Sequence, residues 1–183
     1  ILMAVFIKEG GILGVFSFAT YMQLFSTTLG RINKELTKPF IYLVPEPPFA
    51  KLLHSLREML PGALVEAVVI FIPVGIILNL NSPEICACIL ARVSFSLLFT
   101  AGNLVVEQFW SGASRALTIF LFFVVMAALS APGVVLAIVI SSNLVLISRD
   151  FVMFLIMAVV NIPVSLLVLF LCRNMLQYAE LNY

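Results

Sequence analysis

Charged side chains are scarce in this 183-residue chain: 10 Lys and Arg, 9 Asp and Glu, and a single His. Asp, Glu, Lys and Arg make up 10% of the residues, against roughly one quarter in an ordinary globular domain. The remainder is 63% hydrophobic, with a mean hydropathy of +1.19. A domain of this size has too little interior to hide that much apolar surface from water, so its solvent is lipid. The net charge of +1, with cations spread along the chain, excludes nucleic acid and acidic ligands as electrostatic partners. Cysteine is scarce too. Cys86-Ala87-Cys88 is too tight for a zinc pair and no second pair exists, so Cys86, Cys88 and Cys172 are expected to be small buried hydrophobes. The lone His54 has Arg57 at i+3 and Ala50 at i−4, so no metal site is expected. There is no G-x-x-x-x-G-K-[ST], G-x-S-x-G or H-E-x-x-H, which argues against an enzyme and against a bound nucleotide or other cofactor in this chain itself.

What is present is long apolar runs. The alternation of a lipid-facing barrel is missing, and the pattern predicts an all-α, polytopic helical membrane protein in a single domain over residues 1–183. Five spans are expected at about 10–28, 61–80, 84–108, 115–130 and 151–172. Lys8-Glu9 and Gly10-Gly11 interrupt the first run, and Asn79 to Pro83 make a tight turn. Ala131-Pro132-Gly133 is expected to break the fourth helix. The piece after it is too short for a comfortable crossing, so residues 132–147 are expected to form a re-entrant segment, the alternative being a full span. The chain opens Ile-Leu-Met-Ala and reads as a fragment.

Five of the ten cations, Arg31, Lys34, Lys38, Lys51 and Arg57, lie in the polar insert 29–60. By the positive-inside rule this insert is cytoplasmic, and with it Arg115, Arg173 and the C-terminus, in a cell-membrane protein. Pro39 ends a helix continuing from the first span, and Pro45-Glu46-Pro47-Pro48 fixes a stiff corner. Beyond it Phe49, Leu52, Leu53, Leu56 and Leu60 share one helical face while Lys51, His54, Ser55, Arg57 and Glu58 occupy the other. This pattern predicts a short amphipathic helix at the membrane face, serving as an interfacial anchor on anionic lipid or as a docking element for a partner.

The run "ELTKPFIYLVPEPPFAKLL", followed by a span carrying "IFIPVGIIL", resembles the Putative ABC exporter family of membrane permeases. The residues carrying the resemblance are Glu35-Leu36, Lys38 to Leu43, Pro45 to Phe49 and Ile72-Pro73, with weaker agreement through "RVSFSLLFTAGNL". The resemblance implies a permease, here its C-terminal portion, driven by a separate ATP-binding cassette ATPase that binds the ATP. It also implies a second permease half or a homodimer. In related exporters a coupling helix after the second span sits in a cleft of the ATPase. Here that element would be residues 49–60, with Pro45, Glu46, Pro47, Pro48, Phe49, Lys51, Leu52, Leu53, Leu56 and Arg57 as docking residues. A broken helix dipping in before the last span would be residues 132–147.

Five polar residues fall in or near the lipid: Glu66, Arg92, Asn103, Glu107 and Asn161. Intramembrane polar groups are costly and face the bundle interior, a partner or water. Glu66 and Glu107 are expected close to the inner interface, Arg92 to snorkel from the outer side, and Asn161 to hydrogen-bond a carbonyl freed by Pro163. With no carboxylate expected at mid-depth, a secondary transporter is the alternative to the ABC permease, and a non-transporting membrane scaffold the third reading.

Overall fold

The structure, a computed structural model, describes residues 2–29, 48–110, 114–143 and 148–172. These residues form five helices: α1 (Leu2–Leu29), α2 (Pro48–Ile77), α3 (Ser82–Trp110), α4 (Arg115–Asn143) and α5 (Arg149–Leu171). No strand occurs among them. The part of the expected insert 29–60 that covers residues 30–47, including Pro45, Glu46 and Pro47, lies outside the described residues, as do residues 144–147 and the tail 173–183.

Local sequence sets the helix ends. Pro48 takes the first helical position of α2, where the missing N–H is not needed. At the other end of α2, Asn79 adopts a left-handed φ of 52°. The Leu80 N–H donates to the Gly75 carbonyl at 2.9 Å and the Asn79 N–H to Ile76 at 3.3 Å, a Schellman closure that satisfies the last carbonyls. Glu84 then reaches back from the first turn of α3 to accept the Asn81 N–H at 3.1 Å, one half of a capping box. Its second oxygen accepts from Ser148 Oγ, tying this turn to the start of α5. In α1 the backbone is kinked at Gly11 (φ 55°, ψ −147°), a conformation open to glycine, at the Gly10-Gly11 interruption visible in the sequence.

The helices α2 and α3 run antiparallel across that turn, with Met59 beside Thr100 and Gly75 beside Ile85. Helices α3 and α5 run parallel: their starts meet at Glu84 and Ser148, and Ala101 and Leu104 pack with Val168, Leu169 and Cys172 toward their ends. The hub is α3, whose membrane-length segment is 67% buried, against 22% for α2 and 17% for α4. Ala87, Cys88, Ala91, Ser94 and Ala101 keep its surface small enough for close packing on several sides. Phe16 of α1 stacks on Phe71 of α2, Phe95 of α3 and Phe154 of α5, with ring centroids 5.8, 5.8 and 4.8 Å away. One side chain thereby joins four helices.

Two sequence expectations are corrected. Helix α4 continues through Pro132 to Asn143, so the described part of 132–147 is no separate re-entrant piece or additional span. A proline inside a helix costs about 3 kcal/mol. Ending the helix in lipid instead would leave several backbone groups unpaired at several kcal/mol each, so continuation is cheaper. The proline is exposed, Gly133 turns inward, and Ser130 Oγ donates to the Met126 carbonyl at 2.8 Å close by. Likewise, the amphipathic segment 49–60 is not a separate helix lying at the interface. It is the first part of α2, which runs unbroken through Pro61 and Pro73. Four helical segments are long and apolar enough to cross a membrane among the described residues: Met59–Ile77, Ser82–Val106, Ala116–Asn143 and Arg149–Leu171.

Candidate functional site: an ionic bridge inside the bundle and a cavity beside it

Arg92 on α3 is 2% exposed, the largest fully buried side chain among the described residues. Its Nη2 donates to Glu66 Oε1 of α2 at 2.7 Å, and its Nη1 donates to Gln23 Oε1 of α1. One guanidinium thus spans three helices. A lone arginine at the centre of a membrane helix costs about 2.5 to 3.5 kcal/mol even on the mildest scale. The carboxylate neutralises the charge, and both partners accept its fork of donors. Gln23 is itself buried, while the Glu66 side chain is 52% exposed. The carboxylate therefore reaches the outer surface of this bundle.

Arg92 does not snorkel: its head group is buried and paired inside the bundle. Glu66 lies about eleven residues before the end of α2 and Arg92 about ten after the start of α3. At about 1.5 Å per residue both stand some 15 Å from the Asn79–Asn81 turn. Antiparallel helices bring residues equidistant from their turn to one level. Gln23 is not singled out by the sequence reading; the signal available was a lone amide inside the apolar run 10–28.

A cavity of about 380 Å³ lies alongside, between α1 and α4 and floored by α3 and α5. Phe16, Phe95, Phe99, Phe123, Met126 and Met157 form most of its apolar wall, and Ser17, Thr20, Tyr21 and Ser130 add hydroxyl groups. Phe25 and Phe123 meet edge-on with centroids 5.5 Å apart, joining α1 to α4 at one end.

The remaining candidates divide. Asn161 is fully buried on α5, yet neither amide atom has a hydrogen-bond partner, so the expected bond to a carbonyl freed by Pro163 is not formed. It packs instead against Gly133 of α4. Asn103 is buried on α3. The Glu107 side chain lies outside the described residues. So do the side chains of Phe49, Lys51, Leu52, Leu53 and Leu56, whose backbone is helical, whereas Arg57 is exposed. Cys88 and Cys172 are buried as expected, but Cys86 is exposed. Among the described residues no three His, Cys, Asp or Glu side chains come together.

An all-helical bundle with four membrane-length apolar helices, two of them joined by its one described ion pair, is a multi-pass membrane protein. A family model described as "Putative ABC exporter" matches residues 1–180, nearly the whole chain, and the chain belongs to that family. It is a membrane component of an ABC exporter, a class that works with an ATPase partner. No curated protein and no solved structure matches it.

Proposed function

We propose that this chain is the permease portion of an ABC exporter, driven by a separate ATP-binding cassette ATPase that docks at the N-terminal end of α2. The observation that supports this most is the continuity of α2 from Pro48 to Ile77. Its apolar, membrane-length part begins at Met59, so about eleven residues project some 16 Å beyond it on the same helix. A push on that projection reaches Glu66 without crossing a flexible joint. Through Arg92 it then reaches Gln23, and with it α1, one wall of the cavity.

Helical phase sorts the docking residues. In the sequence Leu53, Leu56 and Leu60 follow at spacings of three and four, and Ala67 and Val74, at two further steps of seven, are buried against the bundle. Lys51 falls on the opposite side of the helix, and Arg57 is exposed. In this reading the end of α2 bearing Lys51 and Arg57 is the edge that meets the ATPase, in a cytoplasmic location that also gathers most of the cations. The test is co-purification of the full-length protein with ATPase activity from its own membranes. Lys51→Glu with Arg57→Glu is expected to lose the activity while the protein stays folded. Unchanged co-purification of that variant contradicts docking at this edge.

A secondary transporter gains one point from the intramembrane Glu66, but such a transporter is built on interrupted helices meeting at the ion site. Here Glu66 and Arg92 both lie within unbroken helices. Transport that requires ATP hydrolysis and survives Glu66→Gln favours the ABC reading, and the reverse pattern favours ion coupling.

A further inference from the structure

We propose that the cavity between α1 and α4 binds an uncharged, ring-bearing hydrophobic small molecule drawn from the bilayer; naming that molecule a substrate rests on the export reading above. At about 380 Å³ the cavity falls in the range of roughly 300 to 1,000 Å³ that accommodates small-molecule ligands. Among the described residues no Asp, Glu, Lys, Arg or His lines it. Arg92, one turn before Phe95 on α3, is committed to Glu66 and Gln23. An ionic ligand would enter without a counter-charge at a cost of several kcal/mol, so the site selects neutral molecules. Four phenylalanine rings supply faces and edges for offset stacking, and Met126 and Met157 are soft fillers that adapt to a flat body. The wall is not wholly apolar. Thr20 carries a hydroxyl without a hydrogen-bond partner, and Ser17 and Tyr21 stand on the same helix, so one carbonyl or hydroxyl on the ligand finds a partner. The rim residues Leu13, Ser17, Tyr21 and Ala127 are exposed, which opens the cavity at the side of the bundle, where a hydrophobic molecule already dissolved in lipid arrives by lateral diffusion.

Benzophenone tests this directly, being an uncharged pair of rings with one carbonyl that attaches covalently to nearby C–H groups on irradiation. The full-length protein in lipid nanodiscs is irradiated with benzophenone, with the anion 4-benzoylbenzoate, or with the cation (4-benzoylbenzyl)trimethylammonium, and adducts are mapped by mass spectrometry. Saturable benzophenone adducts are expected on cavity residues such as Tyr21 and Met126, with the two ions at least about tenfold weaker. Ala127→Phe and, from the opposite wall, Ser17→Phe fill the space from exposed positions and are expected to reduce the adducts about tenfold without lowering thermal stability. Adducts spread evenly over outward residues such as Val69 and Ile76 without saturation overturn the proposal. So does labelling unchanged by both filling variants, or equal labelling by the ions. The assay contains no ATPase, so Lys51→Glu with Arg57→Glu leaves labelling intact. Loss of docking with labelling preserved removes only the name substrate, and loss of labelling with docking preserved removes the cavity site.

Discussion

A β-carbon built on Gly133 of α4 would stand 2.3 Å from Oδ1 of Asn161 on α5. The Asn161 side chain fills the space between the two helices here, which places a glycine requirement inside the Ala131-Pro132-Gly133 run. Gly133→Ala forces the buried Asn161 aside and is expected to cost about 1 to 3 kcal/mol. Asn161→Ala removes an amide that has no partner and is expected to cost less, because an unpaired buried polar group is itself a burden of about 1 to 3 kcal/mol. The double variant should recover most of the loss. Thermal midpoints of the three proteins check this, and strictly additive losses contradict a shared contact.

The bridge from Arg92 makes an asymmetric forecast. Glu66→Leu leaves a buried cation without its counter-charge and is expected to destabilise by up to about 3 kcal/mol. Replacing the pair together, Glu66→Leu with Arg92→Leu, should lose much less, since apolar replacements for both partners of a buried pair are often neutral. A double-mutant cycle in unfolding free energy measures the difference. A coupling within about 0.5 kcal/mol of zero would show that the two residues do not act together.

Cys86 is exposed while Cys88 and Cys172 are buried at 0% and 3%. Cys86 lies one turn into α3, next to the Asn79–Asn81 turn, where water and reagent have access. N-ethylmaleimide is therefore expected to modify Cys86 alone in the folded protein, and Cys86→Ser to abolish modification. Mass spectrometry of the labelled chain reads the site. Equal labelling of Cys88 would contradict the packing of α3 as the hub.

Composition and apolar run length were enough to read the helical membrane class, because no other structure satisfies its backbone in lipid. Local signals with a strong physical cause were legible as well: the glycine kink at Gly11 and the asparagine turn after Ile77 both fall where the sequence marks them. Proline was misleading. Pro132 would break a helix in water, where the freed carbonyls can bind solvent, but in lipid the helix carries on around it. The pairing of Arg92 with Glu66 was not legible because nothing in the sequence sets which faces of α2 and α3 meet. Gln23 could have been sought once an intramembrane arginine was known, as a polar residue at matching depth. The contact between Gly133 and Asn161 depends on how α4 and α5 rotate against each other, which periodicity alone does not supply.

The central claim is that the docking end of α2 and the ionic bridge share one uninterrupted helix. Spin labels at Arg57 and Ile76, both exposed, report on it by pulsed dipolar spectroscopy in a protein whose native cysteines are replaced. Nineteen residues of continuous helix separate the label sites by about 29 Å. The account predicts one narrow distance distribution near that value, with and without the ATPase. A shorter or broad distribution, the signature of a hinge at Pro61, would contradict it.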